Sequence, residues 1–525
     1  MKNLKKLFAV LAAIMMVLTL GTTAVKAEGD ERTITISTKE GQGDHDYKAY
    51  QIFTGTYKDG KLTAPEFGEN VDSDKLIEEV NKVIVEANKL IEKDEDKIEA
   101  LAADASAPAV AEAIGKMNAS KDSDIAKALA KGIAKAVKGN PAEGTNSVKV
   151  KGDGFYFVED VTAELDENDA YSRYIMLNVS KDVTVEIKAD VVKSDKKVKE
   201  KNDTTGKESE DWQDAADYDI GDKVPFRLTA TLPENYAEFK KYSMWFCDEQ
   251  SAGLTFNNDD VKVYIDGQLL DASKYSIEEN VKVNEGTDDE KTLTFVVKIP
   301  ELVGTNAKKG SVVSVEYTST LNTNAKLGVE GNPNKSYVKY SNNPNDDQGG
   351  EPEGTTPEDK VVVFTYQIVA NKVGDDETTK LEGAGFTLYK KTAGYTENDG
   401  WKAVRDEITG ETTFTFKGTD AGEYKLVETT VPRGYNKAED ILFTVTATYE
   451  TESDDPQLTD LKVTPENAGF TVSTDFSTAT TKVINRSGAT LPETGGIGTT
   501  IFYTVGGLLV VGAIIMLIQK RRMAE

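Results

Sequence analysis

Cys247 is the only cysteine in 525 residues, so no disulfide can close within this chain. The constraint bites because the N-terminus reads as an export signal. Lys2, Lys5 and Lys6 form a charged start, Leu7 to Leu20 is mostly apolar, and Val25-Lys26-Ala27 has the small-x-small pattern of a cleavage site. Residues 1–27 are therefore expected to be a signal peptide, with the mature chain starting at Glu28. An exported chain without disulfides needs large cores or some other cross-link to be rugged.

Charge and composition exclude several functions. There are 62 Lys and Arg against 90 Asp and Glu, for a net charge of −28, which argues against binding a phosphate backbone. The single histidine, His45, sits in the polar stretch Gly43-Asp44-His45-Asp46 and is expected at the surface. One His and one Cys leave few nucleophile–base pairs, no His-rich metal site and no Cys-rich zinc site. No cofactor, no metal and no turnover of a small substrate are expected. The 38% of hydrophobic residues suffices for globular cores but not for a polytopic membrane protein.

The mature chain divides into three modules, and the fold class is mainly β. Residues 28–190 open with the strand patterns Thr33-Ile34-Thr35-Ile36-Ser37 and Tyr50-Gln51-Ile52-Phe53. Residues 73–138 then turn helical: Leu76, Val80, Val83 and Ile84 share one face, and Ile125, Leu129, Ile133 and Val137 another, ended by Gly139-Asn140-Pro141. Strands return at Gly154–Val158 and Val183–Ile187. This predicts a β-sandwich with a helical insert packed on its core. Residues 191–345 carry short strands (Val224–Thr229, Val261–Ile265, Leu293–Val297) and an Asp266-Gly267 hairpin turn, which predicts a second sandwich. Residues 346–360 read as a solvated linker whose acidic residues match no cation-binding loop. Residues 361–488 form a third strand-rich module.

The C-terminus holds three signals in order: Leu491-Pro492-Glu493-Thr494-Gly495, an apolar stretch over 499–518, and Lys520, Arg521 and Arg522. This region, 489–525, resembles the wall-sorting signal of Gram-positive surface proteins. The resemblance implies that a sortase cleaves between Thr494 and Gly495, holds Thr494 as a thioester and passes it to an amine. The apolar stretch would be a transmembrane segment that pauses the chain during export.

Two internal resemblances are equally specific. Gly221-Asp222-Lys223-Val224-Pro225-Phe226, Leu228-Thr229-Ala230-Thr231-Leu232-Pro233, Gly253-Leu254-Thr255-Phe256 and Tyr340-Ser341-Asn342-Asn343-Pro344 resemble the isopeptide-forming fimbrial domain of sortase-assembled backbone pilins. Leu381 to Tyr389, Tyr424 to Thr429, Gly434-Tyr435 and Val483-Ile484-Asn485 resemble their prealbumin-like, collagen-adhesin B-type domain. The implied architecture is a tandem of immunoglobulin-like and prealbumin-like sandwiches. The implied chemistry joins a Lys amine to an Asn carboxamide inside each domain. That reaction needs a neutral Lys, a protonated carboxyl and no water, all of which burial supplies.

Strand alternation offers a check on which residues point inward. In the third module Lys372 shares a face with Phe364, Tyr366, Ile368 and Ala370; Glu428 with Tyr424 and Leu426; Asn485 with Val483. In the second, Lys196 matches Val192 and Val198, Asp248 matches Met244 and Phe246, and Asn342 matches Val338 and Tyr340. The expected bonds are Lys196–Asn342, assisted by Asp248, and Lys372–Asn485, assisted by Glu428. Glu249 and Asn343 stay open as substitutes in the second module, because a bulge breaks alternation. The first module shows no such set.

A lysine near the junction of the first two modules accepts the next subunit in backbone pilins, and Lys188 is in that place. It follows Glu186-Ile187 where the family has Tyr-Pro, and Lys193 is the alternative. The resemblance thus implies a wall-anchored, cell-surface shaft subunit. Its partners would be a pilus-type or housekeeping sortase, identical subunits, ancillary pilins and peptidoglycan, with any host ligand left open. The competing reading is a monomeric wall-anchored adhesin, or a tip or base pilin.

Overall fold

The structure, a computed structural model, describes residues 31–37, 43–58, 60–117, 123–166, 169–187, 189–488 and the helix Ile497–Arg522. Residues 1–27, Lys188 and the sorting residues Leu491 to Gly495 lie outside the described residues.

In the first module, Gly154–Asp160 is buried on both faces, which explains its unbroken apolar run. Phe155 and Phe157 face the helices Ser73–Lys89, Ala107–Lys116 and Asp124–Ala136, against Leu76, Val80, Leu129 and Ile133. Tyr156 and Val158 face a three-stranded sheet, against Ile34, Ile36, Val148 and Val150. That sheet pairs Glu31–Ser37 with Ser147–Lys151 and, in parallel, with Val183–Glu186. The helical insert therefore packs on the core as expected. Asp72 and Ser123 cap two of its helices, accepting from Lys75 N at 3.1 Å and Ala126 N at 3.2 Å.

The second module is the predicted sandwich. One sheet runs Lys193–Val198, Lys223–Thr231, Val312–Leu321 and Leu254–Ile265. The other runs Ala215–Asp217, Asp359–Phe364, Asn332–Tyr340, Met244–Gln250, Lys291–Ile299 and Ser276–Val283. Asp266 and Gly267 both take positive φ, 49° and 76°, as a two-residue hairpin demands. The third module packs a four-stranded sheet on a second, six-stranded one, and its first strand, Tyr366–Val373, lies parallel to its last, Thr478–Ile484.

The linker expected over 346–360 is corrected by the structure. Gly354–Thr355 and Asp359–Phe364 pair with Asn332–Tyr340, so the second sandwich runs on to Phe364. Thr356 is buried and accepts from Val338 N at 3.0 Å. Gly354 is required there: a Cβ would sit 2.8 Å from Asn342 Cβ and 2.9 Å from Tyr340 O. The Pro, Gly and acidic residues that suggest solvent instead make a tight return to the sheet, and Asp347 pairs with Lys131 and Lys240.

The return strand belongs to two cores at once. Val361 and Val363 point into the second core, Val362 and Phe364 into the third. Its parallel neighbour divides likewise, Ala216 to the second and Ala215 to the third. The helix Ile497–Arg522 covers the apolar stretch predicted over 499–518; among the described residues no helix is long and apolar enough to cross a membrane.

Truncating Phe364, which is 1% exposed, should cost the third module about 3–5 kcal/mol. Chemical denaturation of Phe364→Ala, followed by third-module tryptophan (Trp401), should show an earlier midpoint. A midpoint equal to wild type would refute the shared-strand packing.

Candidate covalent cross-link sites

The parallel pairing in the third module sets Lys372 opposite Val483, two residues before Asn485. Lys372 Nζ donates to the Val483 carbonyl at 2.9 Å and stands 3.8 Å from Glu428 Oε1. Asn485 Nδ2 donates to Glu428 Oε2 at 3.1 Å, and the Ala438 N–H holds that same oxygen at 2.8 Å. Lys372 and Asn485 are 0% exposed and Glu428 1%. Burial pushes the Lys372 ammonium down to about 8, although Glu428 pulls the other way. Glu428 Oε1 and Asn485 Oδ1 are both buried acceptors without a donor. The structure thus brings together all three residues expected in this module.

In the second module the lysine and the acid also meet. Lys196 Nζ lies 2.5 Å from Asp248 Oδ2, both 0% exposed, between the rings of Phe226 and Tyr317. Gln250 Nε2 holds the other Asp248 oxygen at 3.1 Å. Burial lowers the Lys196 ammonium, with Asp248 opposing. The Tyr317 hydroxyl ties the group together: it donates to Asp248 Oδ2 at 2.7 Å and lies 3.3 Å from Lys196 Nζ. It also accepts from Asn334 Nδ2 at 2.9 Å.

The carboxamide at this site is therefore Asn334, not Asn342. Asp248 opposes Ser336 in the antiparallel register, which puts Asn342 six residues further on, about 20 Å along the strand. Asn342 serves the junction with the first module, where its carbonyl accepts from Tyr171 N at 3.1 Å. Asn334 is 0% exposed and its Oδ1 has no partner. The substitutes fall away too. Glu249 faces outward and pairs with Lys291 at 2.9 Å, and Asn343 Oδ1 accepts from Asn345 N at 3.0 Å.

His45 is not at the surface. It is 0% exposed, with Nδ1 2.7 Å from Asp160 and Nε2 3.1 Å from Asp169. Burial works against its charge, but the two carboxylates overcome it and raise the imidazolium to about 10. Asp160 also accepts from Ser172 N at 2.9 Å, so the ring fixes the 169–174 segment that meets the second module. There Asn345 accepts from Tyr174 N at 3.0 Å and donates to Ser172 O at 2.9 Å. Lys193 is exposed at the start of its strand.

With this geometry in view, comparisons with known proteins show what the chain resembles. Residues 366–457 match the SpaA prealbumin-like fold domain, and 485–525 match the LPXTG cell wall anchor motif. The trypsin-resistant surface T6 protein of Streptococcus pyogenes serotype M6 is 27% identical over 370 residues, covering 58% of this chain and 65% of that protein. The chain is similar to this streptococcal surface protein over that span. It spans less than two thirds of that relative's length, 65%. The T6 backbone pilin of serotype M6 S. pyogenes, described as a modular three-domain structure, shares the fold at a TM-score of 0.50 and 18% identity. The match covers 89% of this chain and 100% of that one. The anchor motif marks a surface protein attached to the cell wall.

Sequence reasoning missed Asn334, Tyr317 and the burial of His45. Tyr317 was within reach, since it alternates with Val313 and Val315. The His45 partners lie 115 and 124 residues away, and nothing local announces them.

A chain with one histidine gives one imidazole signal to follow by NMR. It should stay flat through pH 6.5 and move only near pH 10. The folded value lies above the unfolded one, so the stability from this contact is complete below pH 6.5 and lost as pH rises through about 10. His45→Gln should lower the melting temperature at pH 7, and a midpoint near 6.5 in the NMR titration would refute the buried ion.

Proposed function

We propose that this chain is a structural shaft subunit of a covalent surface pilus, joined head to tail by sortase and hardened by two internal bonds. The observation that carries the reading is the buried Lys372, Glu428 and Asn485 constellation directly upstream of the anchor motif.

The internal reaction runs once per module. The neutral Lys372 amine attacks Cγ of Asn485, the new C–N bond forms and the old one to the carboxamide nitrogen breaks. A proton on Glu428 polarises Asn485 Oδ1, and the carboxyl passes the Nζ proton to the leaving group, which departs as ammonia. Two partnerless buried oxygens suit one shared proton. In the second module Lys196, Asp248 and Asn334 play the same parts, and the Tyr317 hydroxyl holds acid and carboxamide in place. Each bond closes a loop of roughly a hundred residues or more, worth about 4–5 kcal/mol on the chain-entropy account. No substrate is turned over, so the chain is not an enzyme in the ordinary sense.

Between subunits, sortase cleaves after Thr494 and transfers its carbonyl to a lysine of the next subunit. Lys188 is the proposed acceptor and Lys193 its alternative. The helix Ile497–Arg522 exposes apolar side chains on all sides, including Phe502, Leu508, Leu509 and Met516, and ends in Lys520, Arg521 and Arg522. Such a helix suits a lipid surrounding while the sortase acts, after cleavage of a signal peptide at 1–27. Peptidoglycan takes the last subunit.

Two measurements test this. Intact mass should fall short of the sequence mass by two ammonia molecules. Glu428→Ala or Asn334→Ala should each restore one, whereas Asn342→Ala should restore none. Wall-released material should run as a high-mass ladder on a denaturing gel, and Lys188→Ala should collapse it. A single band near monomer mass would overturn the shaft reading.

A further inference from the structure

The segment between Glu200 and Asp222, which holds the edge strand Ala215–Asp217 of the second sandwich, also grips the third. Its carboxylates accept donors from across the junction. Asp217 takes the Ala421 N–H at 2.8 Å and the Tyr449 hydroxyl at 3.4 Å. Asp219 takes the Asp420 N–H at 2.9 Å and Lys390 Nζ at 2.8 Å. Asp203 takes Lys390 Nζ at 2.8 Å through its side chain and the Ala393 N–H at 2.8 Å through its carbonyl. Glu200 sits behind Asp217, accepting the Asp217 N–H at 2.9 Å.

The charges at this junction do not balance. The second module contributes Glu200, Asp203, Asp217, Asp219 and Asp222; the third adds Asp420, which ion-pairs with Lys390. Lys390 is the ammonium set among them, paired with Asp203, Asp219 and Asp420, and it is 3% exposed. Tyr366, Tyr424 and Tyr449 close the site from the third module, and Tyr218 from the second. The Tyr366 hydroxyl faces Asp217 and Asp420, is fully buried, and has no acceptor. Asp217 and Asp420 are buried and the other four carboxyls half-buried, and one ammonium does not balance six of them at such close quarters, which favours protons on the most enclosed.

We propose that the contact between the second and third modules is a proton-dependent junction, tight in mildly acidic surroundings and loosened as pH rises. Burial, with the Asp217 charge, raises Glu200 to about 8; burial raises Asp217 to about 6; burial, with Asp219 and Asp203, raises Asp222 to about 6. Asp420 is raised as well, chiefly by burial. Lys390 moves up against its own burial because Asp420, Asp219 and Asp203 surround it, so it remains a cation throughout. The sign follows. Acids whose folded values lie above their ordinary ones give the closed contact their full support only below those ordinary values; that support falls as pH rises, and is gone above about 6 for Asp217 and Asp222 and above about 8 for Glu200, which carries most of the change at neutral pH. Nothing in this depends on whether the chain polymerises.

Hydrogen exchange on the mature chain, corrected for the intrinsic pH dependence of amide chemistry, tests it. The reporters are the amides of Asp420, Ala421 and Glu423, which bond across the junction. Between pH 5.5 and 8.5 their protection should fall about tenfold or more. Protection along Phe414–Phe416, inside the third core, should hold. Glu200→Gln keeps an acceptor for the Asp217 N–H but cannot ionise, so it should retain most of the protection at pH 8.5. Asp217→Asn is the second variant, with the same expected direction. Equal protection at both pH values, or an unchanged fall in both variants, would overturn the proposal.

Discussion

Taking an ammonium out of water is the cost around which this molecule is arranged, and the number of carboxylates beside each buried cation decides what that cation becomes. Lys196 and Lys372 each face one acid, and burial wins, lowering both amines toward the neutral form. His45 faces two and stays charged. Lys390 faces three and is held more firmly charged still. Similar burial thus yields two candidate nucleophiles and two structural ions, and the difference lies in local stoichiometry rather than in depth.

The same logic separates a bond from a grip. A lysine among three carboxylates has no free pair with which to attack, so the junction of the second and third modules is held by ions, hydrogen bonds and the shared strand Asp359–Phe364. That strand serves two cores through its alternate faces, and only Thr365 separates its last residue from Tyr366, where the strand bearing Lys372 begins. The chain thus passes from the sheet of one candidate cross-link to the sheet of the next with a single residue between the two strands.

Much of this was legible in the sequence, for physical reasons that also explain the failures. Period-two alternation identified Lys196, Asp248, Lys372, Glu428 and Asn485 as inward-facing, because side-chain direction is a local property of a strand. Alternation fixes the face but not the position along it. Asn334, Ser336, Val338, Tyr340 and Asn342 all have the same parity, and only the pairing register with Met244–Gln250 shows that Asn334 is the one beside Asp248. The return strand was hidden for a related reason: Pro, Gly and acidic residues over 346–360 mark a turn equally well whether the chain leaves the sheet or comes back to it. The His45 ion and the Lys390 junction are tertiary, assembled from residues far apart in the chain, and no window of sequence contains them.

Moving the acceptor from Asn342 to Asn334 changes the mechanical outline of the second module. A bond at Asn342 would enclose the whole strand Asn332–Tyr340 within the cross-linked loop. A bond at Asn334 leaves most of that strand, the turn and the return strand outside it, on the segment leading to Lys372. Asn334 opposes Val361, so the two ends of that segment meet at the mouth of an antiparallel pair. Tension along the chain would open such a pair one hydrogen bond at a time, a weaker geometry than shear. The Val361–Phe364 side chains, anchored in two cores, are what oppose that opening, which gives a physical reason for an unbroken apolar run where the surrounding sequence reads as a solvated connection.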